Sequence, residues 1–505
     1  MNYYNDDSVS IKDTLLKLPD IEKHERRIAR RNYIFYKGKC ILPLDKVGED
    51  KDLLGQNWRT SDNCDYKPTQ EIRNKVKPLL KKQARWMFGI EPTIKFKADN
   101  KEDKDKCEEL RKFIEDILDD NNFWTITKQA FLEATIKKRA LLRVEANPKS
   151  PLVIKYESIE DFYYKEKNGK LLYVTFFEED EENVYREADT EKIYYLHTYY
   201  YKFTENNECQ AWYKKEIYFN TEKQDDLTKE VNTGFSTIPC WLIKNGGELN
   251  DTFGESDVEE LMDTQNEYNK TISDFRDALK FQMFGAESVI DGDKDDVKNF
   301  TIAPGALHAV KTRDGLPDGK QAQVQRLEYS MGNSTAVETY LVRAESDMNF
   351  TMDMPQLKDL NNIPSAKAMG YLYNDLMGRC DEKWNDWTPA FIGLFNFIKE
   401  VALICYPVTY SKEWNQLKYS TVFEHNYPLP SDEEGKKNLA MSEVEVGVRS
   451  HRSYIKDCTD SENAEDEWNE ILQEKAQLTN AQDSFTQDLN QELNNANTDI
   501  TNNGE

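Results

Sequence analysis

The residues best equipped for chemistry are acids. Glu178-Glu179-Asp180-Glu181-Glu182 is an unbroken carboxylate run of the kind that holds magnesium for phosphate cleavage. Such metal sites draw their ligands from rigid elements with defined geometry, so the run reads first as a solvated loop between strands. Five histidines, His24, His197, His308, His425 and His451, stand far apart and form no H-E-x-x-H pair or similar ligand cluster. Eight cysteines (Cys40, Cys64, Cys107, Cys209, Cys240, Cys380, Cys405 and Cys458) are scattered without a C-x-x-C pair. That is the pattern of reduced thiols in a cytosolic compartment rather than of zinc or redox chemistry. No G-x-x-x-x-G-K-[ST] loop is present to cradle nucleotide phosphates, and Gly246-Gly247 to Gly254 lacks the dinucleotide spacing. The expectation is a protein that is not an enzyme, with no catalytic residue, metal or cofactor.

The elements that must position these residues are bounded by bulk properties. At 505 residues and 59.1 kDa the chain exceeds what one hydrophobic core organises, so about three domains or one elongated multipart subunit is expected. With 38% hydrophobic and 12% aromatic residues it is too apolar for a disordered chain and too interspersed with charge for a membrane protein. The balance of 67 Lys+Arg against 93 Asp+Glu, a formal charge of -26, opposes tight binding to phosphate backbones. It is compatible with DNA as a neighbour, because a channel benefits from walls to which DNA does not stick. Met1 to Ser10 is polar and acidic, so no secretory signal is expected. The best membrane candidate, 390–408, is broken by Lys399 and Glu400 and reads as a buried helix.

Residues 10–36 and 68–88 carry helical spacing with basic clusters (Arg26, Arg27, Arg30, Arg31; Lys75, Lys77, Lys81, Lys82, Arg85), read as charged faces of surface helices, with a nucleic-acid patch as the functional alternative. From 105 to 142, Leu110, Phe113, Ile114, Ile117, Leu118, Phe131 and Leu132 recur at three and four, predicting amphipathic helices. Between Pro151 and Trp241 the period changes to that of an antiparallel meander, with a hairpin turn at Asn168-Gly169 and further strands over 193–203 and 211–219. The tyrosines there suit a half-buried sheet face more simply than a base-stacking platform. Ser256 and Glu259 form a capping box that opens a helix over 257–284, about 42 Å long. Its seam of Val258, Leu261, Gln265, Tyr268, Ile272, Phe275 and Leu279 suits a rod packed along one side. A Gly- and Pro-containing insert (286–330) precedes a second rod from about Thr335. A loop bracketed by Pro355 and Pro364 follows, then a long helix capped by Ser365, an acidic helical segment over 432–478, and a polar tail over 479–505 expected to be disordered.

Several stretches resemble the portal proteins of tailed double-stranded DNA phages, in particular long-tailed phages of Gram-positive hosts. Tyr33-Ile34-Phe35-Tyr36-Lys37-Gly38 looks like the family's Y-x-G element, and Gly89-Ile90-Glu91-Pro92 is similar to its G-x-P segment. Gly254-Glu255-Ser256-Asp257, with Leu261, Asp263, Tyr268, Asn269 and Ser273, looks like the opening of a portal stem helix. Asn361-Asn362-Ile363-Pro364-Ser365-Ala366-Lys367-Ala368 resembles the N-x-S-G-x-A element after the channel loop, with Ala366 in place of the usual Gly. The likeness runs in order over roughly residues 20–475, and the ordered set carries it rather than any one motif.

The resemblance implies an α+β, portal-like elongated subunit with an α/β wing (1–256 and 355–430), a two-helix stem (257–284 and 334–354), a small α/β clip (285–333) and a helical crown with the tail (431–505). It implies a ring of about 12 subunits at one capsid vertex of the virion, assembled in the host cytoplasm, as the conduit for viral genome packaging and ejection. Implied partners are DNA passing without sequence specificity, the terminase large subunit, a head-completion or adaptor protein, and major capsid and scaffolding proteins, with no membrane. Gln356, Leu357, Lys358, Asp359, Leu360, Asn361 and Asn362 would form the DNA-channel loop, with Lys358 its cationic contact. Leu261, Tyr268, Ile272, Phe275 and Leu279 would pack the stem. The alternatives are another oligomeric phage structural protein, of head-completion or baseplate type, and a metal-dependent nuclease.

Overall fold

The structure, a computed structural model, describes residues 11–38, 66–167, 169–186, 188, 191–203, 209–248, 251–283, 287–293, 295, 310–315, 317, 319–326, 334–356, 366–429, 433–459 and 463–477. The chain divides into two compact units, Met1–Asn362 with Leu372–Pro428, and Ile363–Tyr371 with Leu429–Glu505. Helices and antiparallel sheets are interleaved along the sequence, the α+β class.

The first unit opens with α1 (Ile11–Leu15) and α2 (Asp20–Tyr36), separated at Lys17, whose positive φ of 52° breaks the helix expected to run through 10–36. Then come α3 (Val76–Phe88), β1 (Thr93–Ala98), α4 (Lys104–Asp120) and α5 (Phe123–Lys137). The helix expected over 68–88 begins only at Val76, because residues before it are extended. Strands β2 (Arg139–Glu145), β3 (Val153–Ser158), β4 (Phe162–Lys167), β5 (Lys170–Glu179), β6 (Ile193–Phe203), β7 (Cys209–Phe219), β8 (Glu222–Asn232) and β9 (Cys240–Lys244) follow. They form two sheets rather than one meander. β4 to β8 pair in sequence order, whereas β2 lies between β3 and β9. At the β4–β5 hairpin Lys167 faces Lys170, and Gly169 takes the positive φ, 72°, that a two-residue turn requires.

Helix α6 (Asp257–Met283) is followed by the short pair β10 (Glu287–Ile290) and β11 (Gln323–Arg326), then α7 (Ser334–Thr351). After α8 (Ala366–Leu372), which belongs to the second unit up to Tyr371, α9 (Asn374–Cys405) runs 32 residues in the first, and β12 (Tyr419–Glu424) returns to pair with β1. By length and composition α9 is apolar enough to cross a membrane, but Trp384, Trp387, Phe391, Phe395 and Ile398 are buried. They form the core with Phe88 of α3 and Trp124 and Phe131 of α5: the Phe88 ring centroid lies 4.9 Å from that of Trp384 and 5.5 Å from that of Trp387. Edge-to-face rings at this spacing add to area burial and fix one packing arrangement.

In the second unit, α10 (Glu433–Glu445), α11 (His451–Cys458) and a helical stretch over 464–477 replace the continuous segment expected over 432–478. His451 stacks on Trp468 with centroids 5.0 Å apart.

The surface helix face expected over 10–36 is corrected at one residue, Arg26, while Arg27 is exposed and Arg30 and Arg31 are half-buried. Arg26 is 1% exposed, donates to the carbonyls of Phe162 (2.5 Å) and Glu160 (3.1 Å), and lies 3.4 Å from Glu22. Arg139 meets the same Glu22 at 2.6 Å. Arg26 and Arg139 thus cross-link α2 to the sheets through Glu22 and the β4 end.

Candidate functional site

The residues that the sequence groups as one motif, Gly254 to Ser273, converge on two constructions along α6. At its N-terminus, Gly254 has φ 83°, and a Cβ there would lie 2.7 Å from the Lys138 carbonyl oxygen, so only glycine allows this approach. Ser256 Oγ donates to the Ile136 carbonyl at 2.7 Å and accepts from Val258 N–H at 3.3 Å. The capping box is therefore half made, because Glu259 turns away to accept from Arg31 (3.0 Å) and Asn32 (2.9 Å) on α2.

Asp257 is buried in a charged joint. Its Oδ1 accepts from Lys383 Nζ (2.9 Å) and Asn245 Nδ2 (2.9 Å), while Lys383 also donates to Asn245 Oδ1 (2.8 Å). Arg379 lies 3.6 Å from Asp257, 3.4 Å from Glu260 and 3.3 Å from Asp353, and donates to the Thr351 carbonyl. Burial pushes the Asp257 carboxyl up, but Lys383 and Arg379 outweigh it and hold the group below the usual carboxylate range. The joint ties the start of α6, the end of α7 and the first third of α9 together. With Tyr268 Oη donating to Glu345 at 2.6 Å farther along, these contacts make α6 and α7 an antiparallel pair.

The second construction is a polar ladder. The extended segment before α3 lies along α6, and its alternate amides at Thr69, Glu71, Arg73 and Lys75 donate to Asp277 (2.8 Å), Ser273 (2.9 Å), Asn269 (3.1 Å) and Gln265 (2.7 Å). Gln265 Nε2 returns a bond to the Arg73 carbonyl at 3.1 Å. Four residues of helix rise about 6 Å and two residues of extended chain span about 6.6 Å, so the two repeats stay nearly in step. Side chains at i, i+4, i+8 and i+12 thus stand in for a neighbouring strand and satisfy a backbone that has no sheet partner. Lys75 adds an ion pair to Glu345 at 2.8 Å with its ammonium over the Tyr268 ring.

Of the residues expected to pack this helix, Leu261, Tyr268 and Ile272 are buried, Phe275 is half-buried and Leu279 is 40% exposed. Of the expected channel loop, Gln356 is described: it accepts from Ser346 Oγ and donates to the Ser346 carbonyl at 3.0 Å, fastening the chain after α7 back onto that helix. Leu357, Lys358, Asp359, Leu360, Asn361 and Asn362 lie outside the described residues. The ladder residues Gln265 and Asp277 were not singled out as polar contacts in the sequence, although a polar residue every fourth position was the available signal. Among the described residues no group of three or more His, Cys, Asp or Glu side chains is placed to hold a metal ion. The joint and the ladder are positioning devices: their carboxylate and side-chain oxygens are taken up by cations and backbone donors.

A family model described as phage portal protein, SPP1 Gp6-like, matches residues 15–481, nearly the whole chain. The chain belongs to that portal family. No curated protein matches it. Membership makes this portal chain a structural rather than enzymatic component of the phage capsid vertex, in a family of ring assemblies with capsid and packaging partners. It also gives the motif a physical content. In this portal chain Gly254, Ser256 and Asp257 build the joint, and Asn269 and Ser273 are two rungs of the ladder.

Proposed function

We propose that α6 and α7 are the stem of a portal ring, that the sheets with α9 form its wing, that 285–333 is the clip and that the chain from 431 onward forms the crown. The observation that carries this reading is the surface of the α6–α7 pair. Leu279, Phe281 and Met283 on α6 and Tyr340, Val342 and Phe350 on α7 are all exposed in the single chain. A pinned helical hairpin with large apolar side chains in water calls for a second copy, and a head-to-tail contact repeated about an axis closes into a ring, here of about twelve subunits.

Twelve copies at -26 each carry about -312 charges before counterion screening, a wall from which a polyanion is repelled rather than trapped. DNA then slides inward during packaging and outward during ejection, driven by other proteins, without base readout. In this reading residues 356–362 face the channel with Lys358 as a passing phosphate contact. Terminase and adaptor proteins dock at the clip, and major capsid and scaffolding proteins surround the wing. Assembly takes place in the host cytoplasm and the ring is retained in the virion. Electron microscopy of the purified protein tests the proposal: rings of about a dozen subunits with a central hole support it, and a compact 59.1 kDa monomer that never self-associates sinks it.

A further inference from the structure

The acidic run covers the end of β5 and the exposed turn that leads to β6, and that turn is fastened in place. It is a single 3-10 turn over Glu181–Tyr185. Asn183 is buried under this turn: its Nδ2 donates to the Ile193 carbonyl at 2.7 Å, and its Oδ1 accepts from the Ile193 N–H at 2.9 Å and from Arg186. Asp180 accepts from the Glu182 N–H at 2.9 Å and from Tyr195 Oη at 2.8 Å. Both ends of the turn are thus fastened to β6. The fastened turn presents Val184 and Tyr185, each 85% exposed.

Single exposed apolar residues are ordinary, but an adjacent pair at this exposure on a pinned backbone cannot turn inward to escape water. Glu178, Glu179, Glu181 and Glu182 stand exposed beside it, with Arg186 the nearby cation that pairs within the turn. An aromatic and aliphatic anchor within a charged rim is the composition of an interface hot spot, in which the anchor supplies affinity and the rim steers the partner.

We infer that Val184 and Tyr185 are the anchor of a docking knob for a protein partner that offers an apolar socket rimmed by lysine and arginine. The inference rests on the portal reading and names the chemistry of one contact between the ring and the particle around it. The sign of the rim selects the occupant. DNA and anionic lipid surfaces are repelled by these carboxylates. Contact with a second copy is already assigned to the exposed α6–α7 surface, so the basic socket belongs to a different protein of the shell.

The test uses the full-length chain co-produced with the other head proteins of its phage. The amount of chain per purified shell is measured for the wild type, for Val184→Ser with Tyr185→Ser, and for Glu181→Lys with Glu182→Lys. Both double variants are expected to form the same rings and melt at the same temperature as the wild type when purified alone. Their incorporation into shells should fall about tenfold, the range of a single hot-spot anchor. A photo-crosslinking residue in place of Tyr185 is expected to attach to a shell protein within a segment bearing Lys or Arg. Wild-type incorporation of the serine variant overturns the inference, as does a crosslink only to DNA or to another copy of this chain. A wild-type chain that neither forms rings nor enters shells instead removes the portal reading itself, and the knob with it.

Discussion

Asp257 and His197 show how differently two buried titratable groups act. Among the described residues Asp257 is the carboxylate that Lys383 and Arg379 share, so Asp257→Asn leaves buried Lys383 without its counter-charge while Arg379 keeps Glu260 and Asp353. Breaking a buried pair from one side costs about 3–5 kcal/mol, and the variant should show a melting transition lower by several degrees in calorimetry. His197 is buried with Nδ1 2.6 Å from Tyr213 Oη and Nε2 2.9 Å from Glu178. Burial outweighs the attraction of Glu178 and holds its pKa down to about 4, with Arg143 and Lys215 pushing the same way. An unfolded histidine protonates near 6.5, so between about 6.5 and 4 the unfolded chain binds the extra proton. The contribution is fully present above that window and is lost as pH falls through it. Over pH 6.5 to 5 the wild type should lose stability faster than His197→Asn by up to about 1.4 kcal/mol per pH unit, and equal slopes would remove this role. Neither environment was legible in the sequence. His197 reads as one of five scattered histidines, and Asp257 as a helix-opening acid, because the groups that perturb them arrive from strands and helices distant in the chain. Ser256 was legible as a cap, yet Glu259 found Arg31 more than 200 residues away, a choice no local pattern records.

At the scale of elements, α6 was the most legible part of the chain, since a cap, a period of three and four and a glycine beyond its end all agreed. The extended segment along it was not. Lys75, Lys77, Lys81, Lys82 and Arg85 carry helical spacing, so the pattern was extended back to 68, whereas the backbone before Val76 takes its hydrogen bonds from side chains about 190 to 210 positions later. Strand β8 was missed for the opposite reason: at the sheet edge it is exposed on both faces, so no apolar alternation marks it, and its charges suit an edge that must not pair with other chains. The ladder makes a prediction at its own scale. Asn269→Leu removes the acceptor of the Arg73 amide, leaving that N–H inside a close contact without a partner, and takes one of the two acceptors of Gln265 Nε2. At about 1–3 kcal/mol per unsatisfied group, amide hydrogen exchange at Thr69, Glu71, Arg73 and Lys75 should quicken by about tenfold or more. Amides in the aromatic core of α9 should keep their protection. If the four amides exchange at the wild-type rate, the ladder does not hold the segment.

For the whole molecule, the ordering of helix-rich start, sheets, long helix, insert, second helix and buried aromatic helix was readable because each change of period is a change of architecture. What lay beyond reach was the division of labour on the α6–α7 surface. The expected packing seam of Leu261, Tyr268, Ile272, Phe275 and Leu279 runs from a buried upper part to an exposed end, and the exposed end continues in Phe281 and Met283. Intramolecular packing thus uses the first part of the helix, and the proposed ring contact begins where it stops. Two substitutions separate assembly from transport. Phe350→Glu places a charge in the proposed contact between copies, where desolvating it without a partner costs several kcal/mol, and purified protein should shift from rings toward monomers in analytical ultracentrifugation. Lys358→Glu removes the proposed phosphate contact and adds negative charge to the proposed channel wall, so rings should form as in the wild type while the DNA packaged or retained per particle changes. Intact rings in the first variant would free α7 from the interface. Lost rings in the second would make residues 356–362 part of the architecture rather than of the channel, and because the two readouts are independent, either result locates the error on its own.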